Sequence, residues 1–411
     1  MKESRLKLIR RSYRHWWQVP RYLADRPQHR QVTFLELFYD LVYVVIIAEL
    51  THSVASHIDG RHLAQFAFLF FIVWWAWLNG TSYHEVHGND DIRTRIFTFL
   101  QMFTVAAMAV FAHDAFGETA VGFAISYAAF QLILAYLWWR TGVYDEQHRP
   151  LSGPYTAAFL LNTVLFFASA FVSPTARLVM WIIGVLIALL LPFLTFSRGA
   201  NNPEVQAQID LSLAPTDSIV ERFGLFTIIV LGEVIVGVVQ GVAGLPVLTL
   251  EIGIIAGAGM LVAVGLWWLY FDFVSHRHPS YRAVMVWLYA HLPLTAGIAL
   301  SGAAVLNAIE HAGEPLPPPA RWLLVGSVAL ALFGIALLIR TLRDAEADPG
   351  SYRSGMVAML IVGIAVLALG FSTVQPIVLL GSLALLLLVP IFFGFVSWIQ
   401  ADSPSAHSTA D

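Results

Sequence analysis

The chain contains no cysteine, which excludes disulfides, thiolate nucleophiles and cysteine-ligated zinc or iron–sulfur centres. Charge is scarce too: 12% of its 411 residues are Asp, Glu, Lys or Arg, against about 25% in an ordinary soluble domain. Walker A loops, G-x-S-x-G turns and dinucleotide fingerprints are absent, so there is no nucleotide-binding loop and no hydrolase elbow. No nucleophile–base pair, cofactor motif or nucleic-acid surface is visible, and the chain reads as something other than an enzyme. His84-Glu85-Val86-His87 is not a zincin motif, because its histidines stand three apart rather than four. No metal set is expected. A cleavable leader is not expected either, since the basic first segment is too long for an n-region and the first apolar run carries acids.

What fills the chain instead is apolar. Hydrophobic residues make up 58% of it and its mean hydropathy is +0.71, the mark of a polytopic membrane protein. A spanning helix needs about 20 apolar residues, and twelve such runs fit between residues 33 and 399. The expected fold class is all-α, an integral membrane protein of about twelve helices in two pseudo-symmetric six-helix halves. Residues 1–30 hold nine Lys/Arg, with Leu6, Ile9, Tyr13 and Trp16 at helical spacing between them. This pattern predicts an amphipathic helix on the cytoplasmic membrane surface. With that end inside, 20 of the 23 Lys/Arg fall on the cytoplasmic side, leaving Arg61, Arg177 and Arg321 outside. Both termini are therefore expected in the cytoplasm.

The halves are read from internal echoes. FLELF at 34–38 returns as IVERF at 219–223, Trp74-Trp75 as Trp267-Trp268, Arg140 as Arg340 and Pro192 as Pro390. Six helices is an even number, so the halves share one topology about an axis along the membrane normal. The divisions are a basic segment at 1–30, a first half at 31–196 and a cytoplasmic linker at 197–218. A second half at 219–400 and a polar tail at 401–411 follow.

Thr33–Ala55 organises the rest. It is apolar enough to span, yet it carries Glu36, Asp40, Glu49 and His52. At 100° per residue Asp40 and Glu49 lie about 180° apart, so the helix offers acids to two environments. The second key stretch, Ile219–Gly241, holds Glu221 at its start and Glu233 near its middle. A charged side chain at mid-membrane costs roughly 2.5–3.5 kcal/mol on insertion scales. A carboxyl that keeps its proton there suits a relay, and it equally suits an inert hydrogen-bonding acid. Asp272 and His291 complete the candidates for an ion, proton or substrate pathway. His291 is either a helix–helix hydrogen bond or a member of that pathway.

A separate group sits at the cytoplasmic helix ends: Asn79, His84, Arg93 and Arg95 in the first half, Arg222 and Arg282 in the second. These are read as an ion-pair network, with a gate or ion vestibule as the other reading. Gly253-x-x-x-Gly257 is a small-residue helix-packing face.

Four strings carry a resemblance: VTFLELFYDLVYVVIIAEL at 32–50, WWAWLNGTSY at 74–83, DDIRTR at 90–95 and ERFGLFTIIVLGEVIVG at 221–237. They resemble the bacterial low temperature requirement protein A (LtrA) family. The resemblance implies a multi-pass protein of the bacterial inner membrane, associated by name with growth in the cold. It transfers Glu36, Asp40, Glu221 and Glu233 as motif positions and assigns no catalytic role. A looser likeness to endolysosomal potassium channels stops at Phe38-Tyr39-Asp40, since Phe223-Gly224-Leu225 lacks the second aspartate.

The leading functional expectation is a secondary transporter or proton-coupled permease working through intramembrane carboxylates. A cation channel is the alternative, as is a non-transporting accessory or lipid-interacting protein. Expected partners are membrane lipids and a small ion or polar substrate, without a cofactor or nucleic acid.

Overall fold

Inside a bilayer every backbone N–H and C=O must be satisfied within the protein, so apolar runs of this length fold as helices. The computed structural model describes residues 18–27, 29–199, 202–347 and 349–401. The surface helix expected from Leu6, Ile9, Tyr13 and Trp16 and the tail beyond residue 401 lie outside the described residues. The helices are α1 (Phe34–Ser56), α2 (Gly60–His87), α3 (Ile92–Ala112), α4 (Ala120–Tyr144), α5 (Arg149–Ser169), α6 (Pro174–Gly199) and α7 (Pro203–Leu213). They continue as α8 (Asp217–Ala243), α9 (Leu250–Phe273), α10 (Val284–Glu310), α11 (Pro318–Thr341), α12 (Asp344–Ala347), α13 (Pro349–Leu369) and α14 (Pro376–Ala401). Among the described residues there is no strand, only an isolated bridge between Pro279 and Leu342.

Eleven helices among the described residues are long and apolar enough to cross a membrane. These are all except α1, α7 and α12. At 23 residues, α1 would be about 35 Å long, enough to span, but it carries three acids. The starts of the helices follow local rules. Pro174, Pro203, Pro318 and Pro376 open α6, α7, α11 and α14, where a missing N–H costs nothing. Asp91 caps α3 by accepting from the Thr94 N–H at 3.0 Å, and Thr249 caps α9 through the Ile252 N–H at 3.2 Å.

The chain divides into two compact units, one made of residues up to Glu49 with Phe71–Ile219, the other of Leu50–Phe70 with Val220 onward. In the first, Trp181 of α6 stacks on Phe166 of α5 at 5.4 Å and gives its indole N–H to Ser169 Oγ at 2.8 Å. The short α7 packs Val205 and Ile209 against Leu151 of α5. In the second unit the core is α10 against α11. A Cβ on Gly297 would stand 2.7 Å from the Ser327 carbonyl, so the two backbones meet with nothing between them.

Candidate functional site

In the first unit the segment before α1 runs back over the end of α2 and meets its polar groups one by one. The last carbonyls of a helix have no intrahelical partner, and Arg21 supplies one. Its Nε donates to the Val86 carbonyl at 3.1 Å and its Nη2 to the Glu85 carbonyl, a cation at the negative helix end. Thr33 and Glu36 then start α1 as a capping box. The Thr33 N–H and hydroxyl both donate to Glu36 Oε2 at 2.9 Å, and the Glu36 N–H returns to Thr33 Oγ1 at 3.3 Å.

Arg30 holds Glu36 with two parallel bonds of 2.8 Å and reaches Glu85 Oε2 at 2.8 Å. Glu85, only 1% exposed, also accepts from Thr216 and Ser218 hydroxyls at 2.7 Å and from Arg26 at 3.4 Å. Arg26 ties the same point to the Leu211 and Ser212 carbonyls at 3.0 and 3.1 Å. Burial lowers Arg26, with Glu85 partly opposing it. Burial acts the same way on Arg30, but Glu36 and Glu85 reverse it and hold that guanidinium above the usual arginine range. In this polar cluster both oxygens of Glu36 and of Glu85 are met.

Next to it, His87 Nδ1 donates to the Arg21 carbonyl at 2.9 Å, so its Nε2 accepts from His148 Nε2 at 3.2 Å. His148 Nδ1 stands 3.1 Å from Gln208 Oε1. Burial pushes His148 below its ordinary value, with Gln208 and Asp145 pulling the other way.

The remaining sequence candidates of this unit are placed as follows. Asp40 is wholly buried and accepts from the Trp77 indole at 2.8 Å. His84 Nε2 lies 3.2 Å from both Gln101 Oε1 and Thr98 Oγ1. Asn79 donates back to its own helix at Trp75 O. Buried Arg93 is 3.7 Å from Asp91, and exposed Arg95 is 2.7 Å from Asp90. Glu49 lies on the outer surface of the chain. Of the residues expected in the pathway, Glu36 belongs to the large cluster. The described residues 18–27, 29 and 30 form no helix beyond a single turn at Leu23–Asp25, because Pro20 and Pro27 break a helix and three arginines are engaged by α2 and its neighbours.

In the second unit, His291 is fully buried, with Nδ1 donating to the Trp287 carbonyl at 2.8 Å and Nε2 taking the Tyr270 hydroxyl at 3.1 Å. Both ring nitrogens are used, which makes it a helix–helix hydrogen bond between α9 and α10. Asp272 accepts from the Trp268 indole on its own helix. Glu221, His52 and Arg282 are exposed, and Arg222 is fully buried. Among the described carboxylates, Glu233 is set apart by a buried oxygen that is unmet. It is 4% exposed, and its Oε1 has no hydrogen-bond partner among the described residues. Its helix crosses α10 closely: a Cβ on Gly302 would stand 2.5 Å from the Glu233 carbonyl, and one on Gly237 would stand 2.2 Å from the Gly302 carbonyl. Among the described residues no group of three His, Asp or Glu side chains is placed to hold a metal ion.

A family model for the bacterial low temperature requirement A protein (LtrA) matches residues 31–391. The chain belongs to that family. The match takes in Glu36, Glu85, Thr216, Ser218 and Glu233, and leaves Arg21, Arg26 and Arg30 just before its start. This LtrA chain is also similar to an uncharacterized protein of Rhizobium meliloti (strain 1021), 23% identical over 312 residues, covering 73% of this chain and 74% of that one. Sequence reasoning missed Glu85, Arg26, Thr216 and Ser218. In sequence Glu85 lies within His84-Glu85-Val86-His87, and Arg26 falls in the basic first segment. The local signal that was present is Thr33-x-x-Glu36, the capping box.

Proposed function

We propose that the chain is a secondary transporter coupled to protons, with Glu233 as the group that takes up and releases the coupling proton. The observation that carries this reading is an unmet carboxyl oxygen: Glu233 is shut inside an apolar span without a hydrogen-bond partner for Oε1 among the described residues. A buried polar group with no partner is costly, and intramembrane ionisable groups are functional candidates by default. The substrate class is a small ion or a polar small molecule.

In the same reading α1 is the twelfth span, both termini face the cytoplasm, and the protein sits in the bacterial inner membrane. The two halves repeat one six-helix topology, as the Trp74-Trp75 and Trp267-Trp268 echo suggests. The charge count of the loops supports this orientation. Cysteines introduced singly into the cysteine-free chain test it, and labelling at position 312 only from the cytoplasmic side would overturn it.

The functional test uses purified chain in liposomes under an imposed pH gradient, read with an entrapped pH-sensitive dye, beside support of growth in the cold. The expected result is that Glu233→Gln folds and melts like the parent and loses both. Full proton flux and full growth support in Glu233→Gln would remove the reading.

A further inference from the structure

A groove of about 910 Å³ lies in the second unit, walled by the start of α2, the middle of α10 and the first half of α11. It begins at the α1–α2 turn, where Ile58, Asp59 and Gly60 form its rim, and continues along Leu63 and Phe66 to Phe70. Ten residues of helix from Gly60 to Phe70 rise about 15 Å, half of a hydrocarbon core of about 30 Å. The groove therefore has the depth of one leaflet. Its volume falls within the roughly 300–1,000 Å³ of ligand sites.

The interior offers nothing to a polar guest. Asp59 at the rim is the one charged residue in its wall, and the Ser327 hydroxyl is spent on the Leu324 carbonyl at 3.0 Å. A space so lined stays dry, so what fills it at membrane depth is hydrocarbon. Its walls also hold two glycines, Gly60 and Gly326, at which a Cβ would meet no atom within 4 Å. Packing does not require either glycine; a side chain there would enter open space.

The rim is polar in a particular way. Asp59 Oδ1 takes the His62 N–H and its Oδ2 lies 2.9 Å from His62 Nδ1, while the His57 and His62 rings stack at 4.9 Å. Arg61 stands beside them in sequence, exposed. An exposed carboxylate with cationic and imidazole neighbours complements a headgroup that carries both an ammonium and a phosphate.

We propose that this groove binds an acyl chain of a zwitterionic aminophospholipid, with the lipid's ammonium at Asp59 and its phosphate towards His57 and Arg61. This site does not depend on proton coupling at Glu233.

The test reloads delipidated full-length chain with an equal mixture of phosphatidylethanolamine and phosphatidylglycerol and counts the lipid retained by native mass spectrometry. The parent is expected to retain phosphatidylethanolamine preferentially. Gly326→Leu pushes a side chain into the groove and is expected to cut retained lipid by about tenfold, the equivalent of roughly two buried methylenes. Gly257→Leu is the control, since a Cβ there also meets nothing within 4 Å and the residue lies outside the groove; it is expected to retain lipid as the parent does. Asp59→Asn is expected to keep the chain bound and erase the headgroup preference. Unchanged retention in a Gly326→Leu protein that melts like the parent overturns the groove as the site. Equal retention of the two lipids by the parent, or a preference for phosphatidylglycerol, overturns the headgroup assignment.

Discussion

Glu85 and Glu233 are shut away to nearly the same degree, 1% and 4% exposed, and their surroundings have almost nothing in common. Glu85 faces two guanidinium groups and two hydroxyls that use both of its oxygens. Glu233 lies within an apolar span with Oε1 unmet among the described residues. The first carboxylate is bound by hydroxyls and guanidinium groups, and its network joins segments far apart in sequence. The second gains nothing from such a network, and the proposed function assigns the coupling proton to it. Partners, more than depth, separate these two acids.

The comparison can be broken most forcefully at Glu85. Glu85→Gln leaves Arg26 without its carboxylate and Arg30 with Glu36 alone, and removing one partner of a buried pair costs about 3–5 kcal/mol. The expected outcome is a large loss of thermal stability in detergent, measured by intrinsic fluorescence. A small loss would mean that the cluster is dispensable and the contrast with Glu233 empty.

Next in size is Gly302→Ala. Its Cβ would press on the Glu233 carbonyl from 2.5 Å, and overpacking of this kind costs about 1–3 kcal/mol. The α8–α10 crossing must open, so proton flux is expected to fall with stability, whereas Gly326→Ala leaves both unchanged.

Glu233 itself should show the reverse of Glu85. Glu233→Gln is expected to change stability within about 0.5 kcal/mol while abolishing pH-gradient-driven flux. Glu233→Ala is expected to cost roughly 0.6–1.7 kcal/mol, the scale of interhelical polar contacts in membranes.

The smallest effect concerns His148. Burial lowers its folded value, so the unfolded chain binds the proton more readily. Its contribution is present above the unfolded value of about 6.5 and is lost as pH falls below it. Melting between about pH 7 and pH 5 should therefore drop in the parent and drop less in His148→Asn.

Much of this was legible in the residues. The apolar runs announce the membrane helices, and Glu233 stands out because it lies near the middle of its span. The Glu85 cluster was not legible, because its members are distant: Thr216 lies 131 residues from Glu85 and Arg26 lies 186 from Ser212. Periodicity places a side chain on a helix face but does not say what that face meets. Glu49, His52 and Glu221 were therefore expected in a pathway on the same grounds as Asp40, yet they are exposed while Asp40 sits under Trp77. Arg26 and Arg30 read as a basic surface because their partners come later in the chain.

The most direct test of the contrast is infrared difference spectroscopy of the full chain in lipid, titrated over pH and compared with Glu233→Gln and Glu85→Gln. The account predicts one protonated-carboxyl band that appears and disappears across the titration and is absent in Glu233→Gln, with no such band lost in a folded Glu85→Gln. A band that never titrates, or one that survives in Glu233→Gln, would contradict it.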